Sequence, residues 1–193
     1  LEFLQKSLDI RLKKLGPNNR LVGRSYSNIG KIHDENGDHA QALEHHQKAL
    51  EIEIQRLGPE LGQEHVLVAR IYNDIGRVYN NNGDYDQALE YFGKAFHIQK
   101  QNLYPDHPDV AASHNDIGKT YQKKGDLSSA LQAYHEALRI QLKVLGENHP
   151  SAVTSYNNIG LAHLEKREFN KALKNLEQAL HLGLSIFGES HLD

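Results

Sequence analysis

The chain has 193 residues, and 22 Lys and Arg against 25 Asp and Glu leave a formal charge of −3, too even for a nucleic-acid or membrane-surface binder. Cysteine is absent, which rules out disulfides, thiolate chemistry and sulfur-ligated metals. No apolar run approaches the roughly 20 residues that cross a bilayer and no signal-peptide pattern opens the chain, so a cytoplasmic location without membrane insertion is expected.

One period sets the order of the elements. Gly30, Gly76, Gly118 and Gly160 are spaced by 46, 42 and 42 residues. Gly37, Gly83 and Gly125 keep step with them, as do Ala42, Ala88, Ala130 and Ala172 and then Ala49, Ala95, Ala137 and Ala179, the mark of a repeat array. On this frame Leu1 aligns with Leu131, so residues 1–16 are the second helix of a preceding unit. That start within a unit and the lack of methionine lead us to expect a piece of a longer protein.

Four helix pairs follow, at about 20–57, 66–103, 108–145 and 150–187, giving nine helices in one expected array over 1–193. In the second pair Ile71, Ile75, Val78 and Tyr79 form one apolar stripe and Ala88, Leu89, Phe92, Ala95 and Phe96 another, each at helical spacing. Between the stripes, Gly83 can turn left-handed to end one helix and Asp84 can cap the next; Gly37-Asp38 and Gly125-Asp126 repeat the pair. The fourth unit has Arg167-Glu168 there, so its turn is expected to be either remodelled or locally weak, a left-handed non-glycine residue costing roughly 1–2 kcal/mol. The 46-residue step places a four-residue loop insertion at Glu60 to Gln63 or their neighbours.

Tyr72, Ile75-Gly76, Tyr79, Ala88, Phe92 and Ala95 occur in the order of the tetratricopeptide repeat pattern, and the chain resembles that family over essentially its whole length. The 42-residue unit, with Leu145-Gly146 and His149-Pro150 leading into the next helix, is similar to the kinesin light chain type. The resemblance implies an all-α fold, a right-handed superhelical solenoid of antiparallel helix pairs. It also implies a non-catalytic scaffold or adaptor that holds a partner peptide in a concave groove lined by the first helix of each unit.

No enzyme is found among the residues, and no cofactor or metal is expected. His135-Glu136 begins like a zinc-protease motif, but Arg139 stands where the second histidine is needed, and no two of the 13 histidines lie at i, i+4. Walker, Gly-x-Gly-x-x-Gly and Gly-x-Ser-x-Gly runs are absent. His45 and His46 are adjacent and diverge on a helix, while His107 and His149 precede prolines at helix starts and read as turn residues. His33, His46, His114 and His163 occupy aromatic columns, and some of them are expected to be buried and neutral.

Mapped onto the expected groove, the first helices present Arg24, Asn28 and Lys31, then Arg70, Asn73, Asp74 and Arg77, then Asn115, Asp116 and Lys119, then Asn157 and Asn158. Asparagines at 73, 115 and 157 form a row able to read a peptide backbone. Arg24, Lys31, Arg70, Arg77 and Lys119 outnumber Asp74 and Asp116, which favours a protein or peptide partner with acidic residues. Neither register of units supplies the Lys/Asn/Arg set of the chaperone-tail clamp. The alternatives are self-association through uncapped ends, as a structural array, and a regulatory segment of a larger enzyme or sensor.

Overall fold

Helix boundaries follow from the chemistry at each junction. The computed structural model describes residues 1–58 and 64–188; the insertion expected at Glu60 to Gln63 lies outside the described residues. Among the described residues there are nine helices and no strand. They are α1 (Glu2–Leu15), α2 (Arg20–Glu35), α3 (His39–Leu57), α4 (Val66–Asn82), α5 (Tyr85–Asn102), α6 (Pro108–Lys124), α7 (Leu127–Leu145), α8 (Pro150–Glu165) and α9 (Phe169–Phe187).

Each first helix opens on a side-chain cap. Asn19 accepts from the Leu21 N–H at 2.9 Å, and the Nδ1 atoms of His65, His107 and His149 accept from the N–H groups of Leu67, Asp109 and Ser151 at 3.1, 3.0 and 3.2 Å. Pro108 and Pro150 then occupy the first helical position, where an N–H would be unsatisfied anyway. This is the turn role read for His107 and His149.

Inside the pairs, Gly83 and Gly125 take φ of 89° and 89°, and the N–H groups of Asp84 and Asp126 reach the Tyr79 and Tyr121 carbonyls at 2.9 and 2.9 Å. Asp126 also caps its helix, accepting from the Ser129 N–H at 3.0 Å. The cap expected of Asp38 is not made; its carboxylate stands 3.5 Å from His33 Nδ1 instead. The fourth turn is not remodelled. Arg167 takes φ 60°, the Glu168 N–H meets the His163 carbonyl at 2.9 Å, and the left-handed strain stays in the chain.

Small residues set the distance between paired helices. A Cβ at Gly118 would stand 2.6 Å from the Tyr134 ring, and one at Gly76 would stand 2.7 Å from Phe92. Ala42, Ala88 and Ala130 are 0% exposed, so they leave the matching room on the second helices.

The chain divides into two compact units, Leu1–Asn102 with α1 to α5 and Leu103–Asp193 with α6 to α9. In the first, Leu8, Val22, Ile29 and Ile52 join α1 to the α2–α3 pair, and Ala49, Leu50, Val68, Ile75 and Ile98 join α3 to the α4–α5 pair. In the second, Leu131, Leu138, Ala152, Ile159 and Leu182 join α7 to the α8–α9 pair. Each buried leucine or isoleucine contributes about 1.5–3 kcal/mol, so within each unit a pair is held largely by its neighbour. Polar bridges recur at these seams: Arg11 donates to Ser25 Oγ at 2.6 Å, and Ser155 Oγ donates to Gln141 Oε1 at 2.8 Å.

Candidate functional site: a cationic cleft between first helices

Helical spacing puts Arg20, Arg24, Asn28 and Lys31 along one stripe of α2, and Leu67, Arg70, Ile71 and Asp74 along one stripe of α4. With Gly23, Ser27 and Glu53 these residues line a cleft of about 390 Å³ inside the first unit. Four cationic side chains thus meet two carboxylates.

Both carboxylates are engaged from within. Asp74 is 8% exposed; its Oδ2 lies 3.2 Å from Lys31 Nζ and its Oδ1 accepts from Arg77 Nη1 at 2.7 Å. Glu53, 4% exposed, accepts from Arg56 Nε and Nη2 at 3.1 and 2.7 Å. Arg20 and Arg24 are exposed and form no ion pair among the described residues. Their charge is what the cleft offers an incoming anion, and Asn28, also exposed, adds an amide between them and Lys31.

A smaller cavity of about 220 Å³ continues past Lys31 and Asp74 to Asp34, Glu35, Arg77 and His46. His46 is 1% exposed beneath Gly30, and burial pushes its pKa below the ordinary histidine value; Asp74 opposes that shift and Lys31 reinforces it. Burial also lowers the pKa of His114. The adjacent His45 instead stacks on His33 at 5.1 Å between ring centroids, so the two neighbours do diverge.

The expected site residues fall into three groups. Arg24, Asn28, Lys31, Arg70 and Asp74 share the cleft, with Arg77 beside it in the smaller cavity. Asn73 and Asn115 are buried, at 6% and 9% exposure, leaving only Asn157 of the expected amide row exposed. Asn115 Nδ2 donates to Ser155 Oγ at 3.2 Å, which ties α6 to α8. Asp116 and Asn158 are half-buried and Lys119 is exposed, all in the second unit.

Sequence reasoning missed Arg20 and Glu53. Arg20 was legible as the residue four before Arg24. Glu53 carried a weaker signal: it shares a column with Gln99 and Gln141, and all three are buried polar residues on second helices.

The tetratricopeptide repeat family model matches residues 1–53, 67–143 and 122–182. No curated protein matches the chain by sequence. Among solved structures, BtubC (BKLC) from P. vanneervenii is similar with a TM-score of 0.79 at 20% identity, over 98% of this chain and 72% of that one. The kinesin light chain-like, nearly identical TPR-like repeats of Podosopora anserina have a TM-score of 0.71 at 24% identity, over 96% and 86%. The apo form of RapI has a TM-score of 0.74 at 17% identity, over 92% and 61%. At these identities the likeness is one of fold.

Proposed function

Because this chain belongs to the tetratricopeptide repeat family, we propose that it is a non-catalytic, kinesin light chain-like scaffold that holds an acidic partner peptide along its first helices, in the cytoplasm. The observation that carries this reading is the α2–α4 cleft, whose own carboxylates are already engaged while Arg20 and Arg24 stand exposed at its wall. An extended segment with Asp or Glu side chains would meet two guanidinium forks able to bind carboxylates bidentately. Arg20, Arg24, Asn28, Lys31 and Arg70 would make the contacts, with Asp74 holding Lys31 in place. In the second unit, taken by itself, Lys119, Asn157 and Asn158 would offer contacts of their own.

The test is selection from a random peptide library with the parent and with an Arg20→Glu, Arg24→Glu variant. Both residues are exposed, so the variant keeps the fold, which circular dichroism checks. Acidic peptides that bind the parent and not the variant are the expected result. Peptides without acidic bias, or bound equally by both, would overturn the assignment.

Self-association is a second reading that one observation favours. Leu173 and Leu180 of α9 are 57% and 54% exposed, whereas their equivalents on α7, Leu131 and Leu138, are both 8% exposed and belong to the core that joins α7 to α8 and α9. A mass that rises with concentration and falls back in Leu173→Glu, Leu180→Glu would select it.

A further inference from the structure

The repeat period allows one ring position to be followed from pair to pair, and it changes character at the end of the second unit. In the first pair His45 projects from α3 against two rings of α2, 6.0 Å from Tyr26 and 5.1 Å from His33. In the second pair Tyr91 does the same from α5, 5.9 Å from Tyr72 and 5.4 Å from Tyr79. Each plug is flanked by an ion pair one turn apart, Glu44–Lys48 at 2.6 Å and Glu90–Lys94 at 2.7 Å, and Lys94 Nζ lies 4.6 Å from the centre of the Tyr91 ring. In the third pair Ala133 stands at that position and is itself buried, at 7% exposure.

The fourth pair keeps the two ring walls, Tyr156 and His163 of α8, but the plug position is Asn175. Its Nδ2 turns back along α9 to donate to the Lys171 carbonyl at 2.8 Å. A cleft of about 640 Å³ opens, bounded by Tyr156, His163, Leu138 and His135 on one side and by Lys171, Lys174, Asn175 and Gln178 on the other. The charge changes along with the shape. Glu44 and Glu90 become Lys174, and Lys48 and Lys94 become Gln178, so a neutral pair is replaced by a single exposed cation without an ion pair among the described residues. Behind two of these lining residues, Glu168 Oε2 lies 2.7 Å from His163 Nδ1 and 3.1 Å from Lys171 Nζ, which orients the imidazole wall.

We propose that this cleft between α7, α8 and α9 binds a flat aromatic ring that carries a negative group. The ring takes the place that His45 and Tyr91 fill in the earlier pairs, between Tyr156 and His163, and the anionic substituent meets Lys174. Stacking on the two walls supplies the shape selection, and the lysine supplies the charge selection. A phosphotyrosine side chain and a free aryl phosphate share this chemistry. The site is distinct from the α2–α4 cleft and stands whether or not that cleft reads acidic peptides.

Calorimetric titration with phenyl phosphate tests it, with cyclohexyl phosphate and inorganic phosphate as controls. Phenyl phosphate is expected to bind the parent and the controls to bind far more weakly. Asn175→Tyr restores the plug of the second pair and is expected to abolish binding while its melting temperature holds or rises; Asn175→His, with the plug of the first pair, serves if the tyrosine variant fails to fold. Lys174→Glu is expected to bind about tenfold more weakly, the loss of roughly one charge-assisted contact. Tighter binding of N-acetyl-phosphotyrosine amide than of phenyl phosphate would assign the ligand to a protein side chain, and the reverse order to a small molecule. Absence of binding to the parent, equal binding to the plugged variants, or equal binding of inorganic phosphate would overturn the proposal.

Discussion

Arg167→Gly should stabilise the protein, and the amount can be worked from its turn. Arg167 holds φ 60°, whereas Gly37, Gly83 and Gly125 do the same job at 82°, 89° and 89°. Relief of the left-handed conformation is worth about 1–2 kcal/mol. Glycine gives back about 0.4–1 kcal/mol by loosening the unfolded chain. No hydrogen bond or ion pair of the Arg167 side chain is lost among the described residues. The net gain is therefore about 0.5–1 kcal/mol, or about 1–4 °C in melting temperature for a chain of this size. The control is Gly125→Arg, which imposes the same strain where an added Cβ meets nothing within 4 Å, and should lose a similar amount. Urea unfolding followed by circular dichroism reads both variants. An Arg167→Gly protein no more stable than the parent, beside a Gly125→Arg protein no less stable, would refute the claim that backbone handedness decides this turn.

Gly118→Ala pushes a methyl to 2.6 Å from the buried Tyr134 ring and should destabilise by about 1–3 kcal/mol, whereas Ala at Gly93, a helical position with nothing within 4 Å, should stabilise by up to about 1 kcal/mol; thermal melts separate them. Because burial lowers the pKa of His46, the unfolded chain takes up its proton first, so stability is full above about pH 6.5 and falls as pH drops from there toward the folded value. The melting temperature should be lower at pH 5.5 than at 7.5, and His46→Phe, which copies Phe92 of the same column, should shrink the difference; equal temperatures in the parent would contradict it. Ser155→Ala removes the hydroxyl between Asn115 and Gln141 and should lose about 1–3 kcal/mol in urea unfolding, since both amides stay buried.

The chain by itself determined the helix pairs and, Asp38 apart, the caps and glycine turns read from it, because these depend on residues a few positions apart. His149-Pro150 starts a helix through its own side chain and ring, and Gly125 ends one through its own φ, whatever the rest of the molecule does. The small-residue columns were legible from the period, and the pairing of the two helices then sets Gly76 over Phe92. Only the tertiary structure decided which face of a first helix stays open. Asn73 and Asn115 have the same local setting as the exposed Asn157, yet the first two are buried, Asn115 by a bond to Ser155, 40 residues away. Asp74 reads as one acid among several cations in the sequence, but its distance from Lys31 makes it the anchor of that lysine. The slot at Asn175 likewise became visible only when the stacked rings of the earlier pairs showed what is missing from it. Local conformation is encoded residue by residue; exposure and ion pairing belong to neighbours distant in sequence, and stacking alone brings those neighbours together.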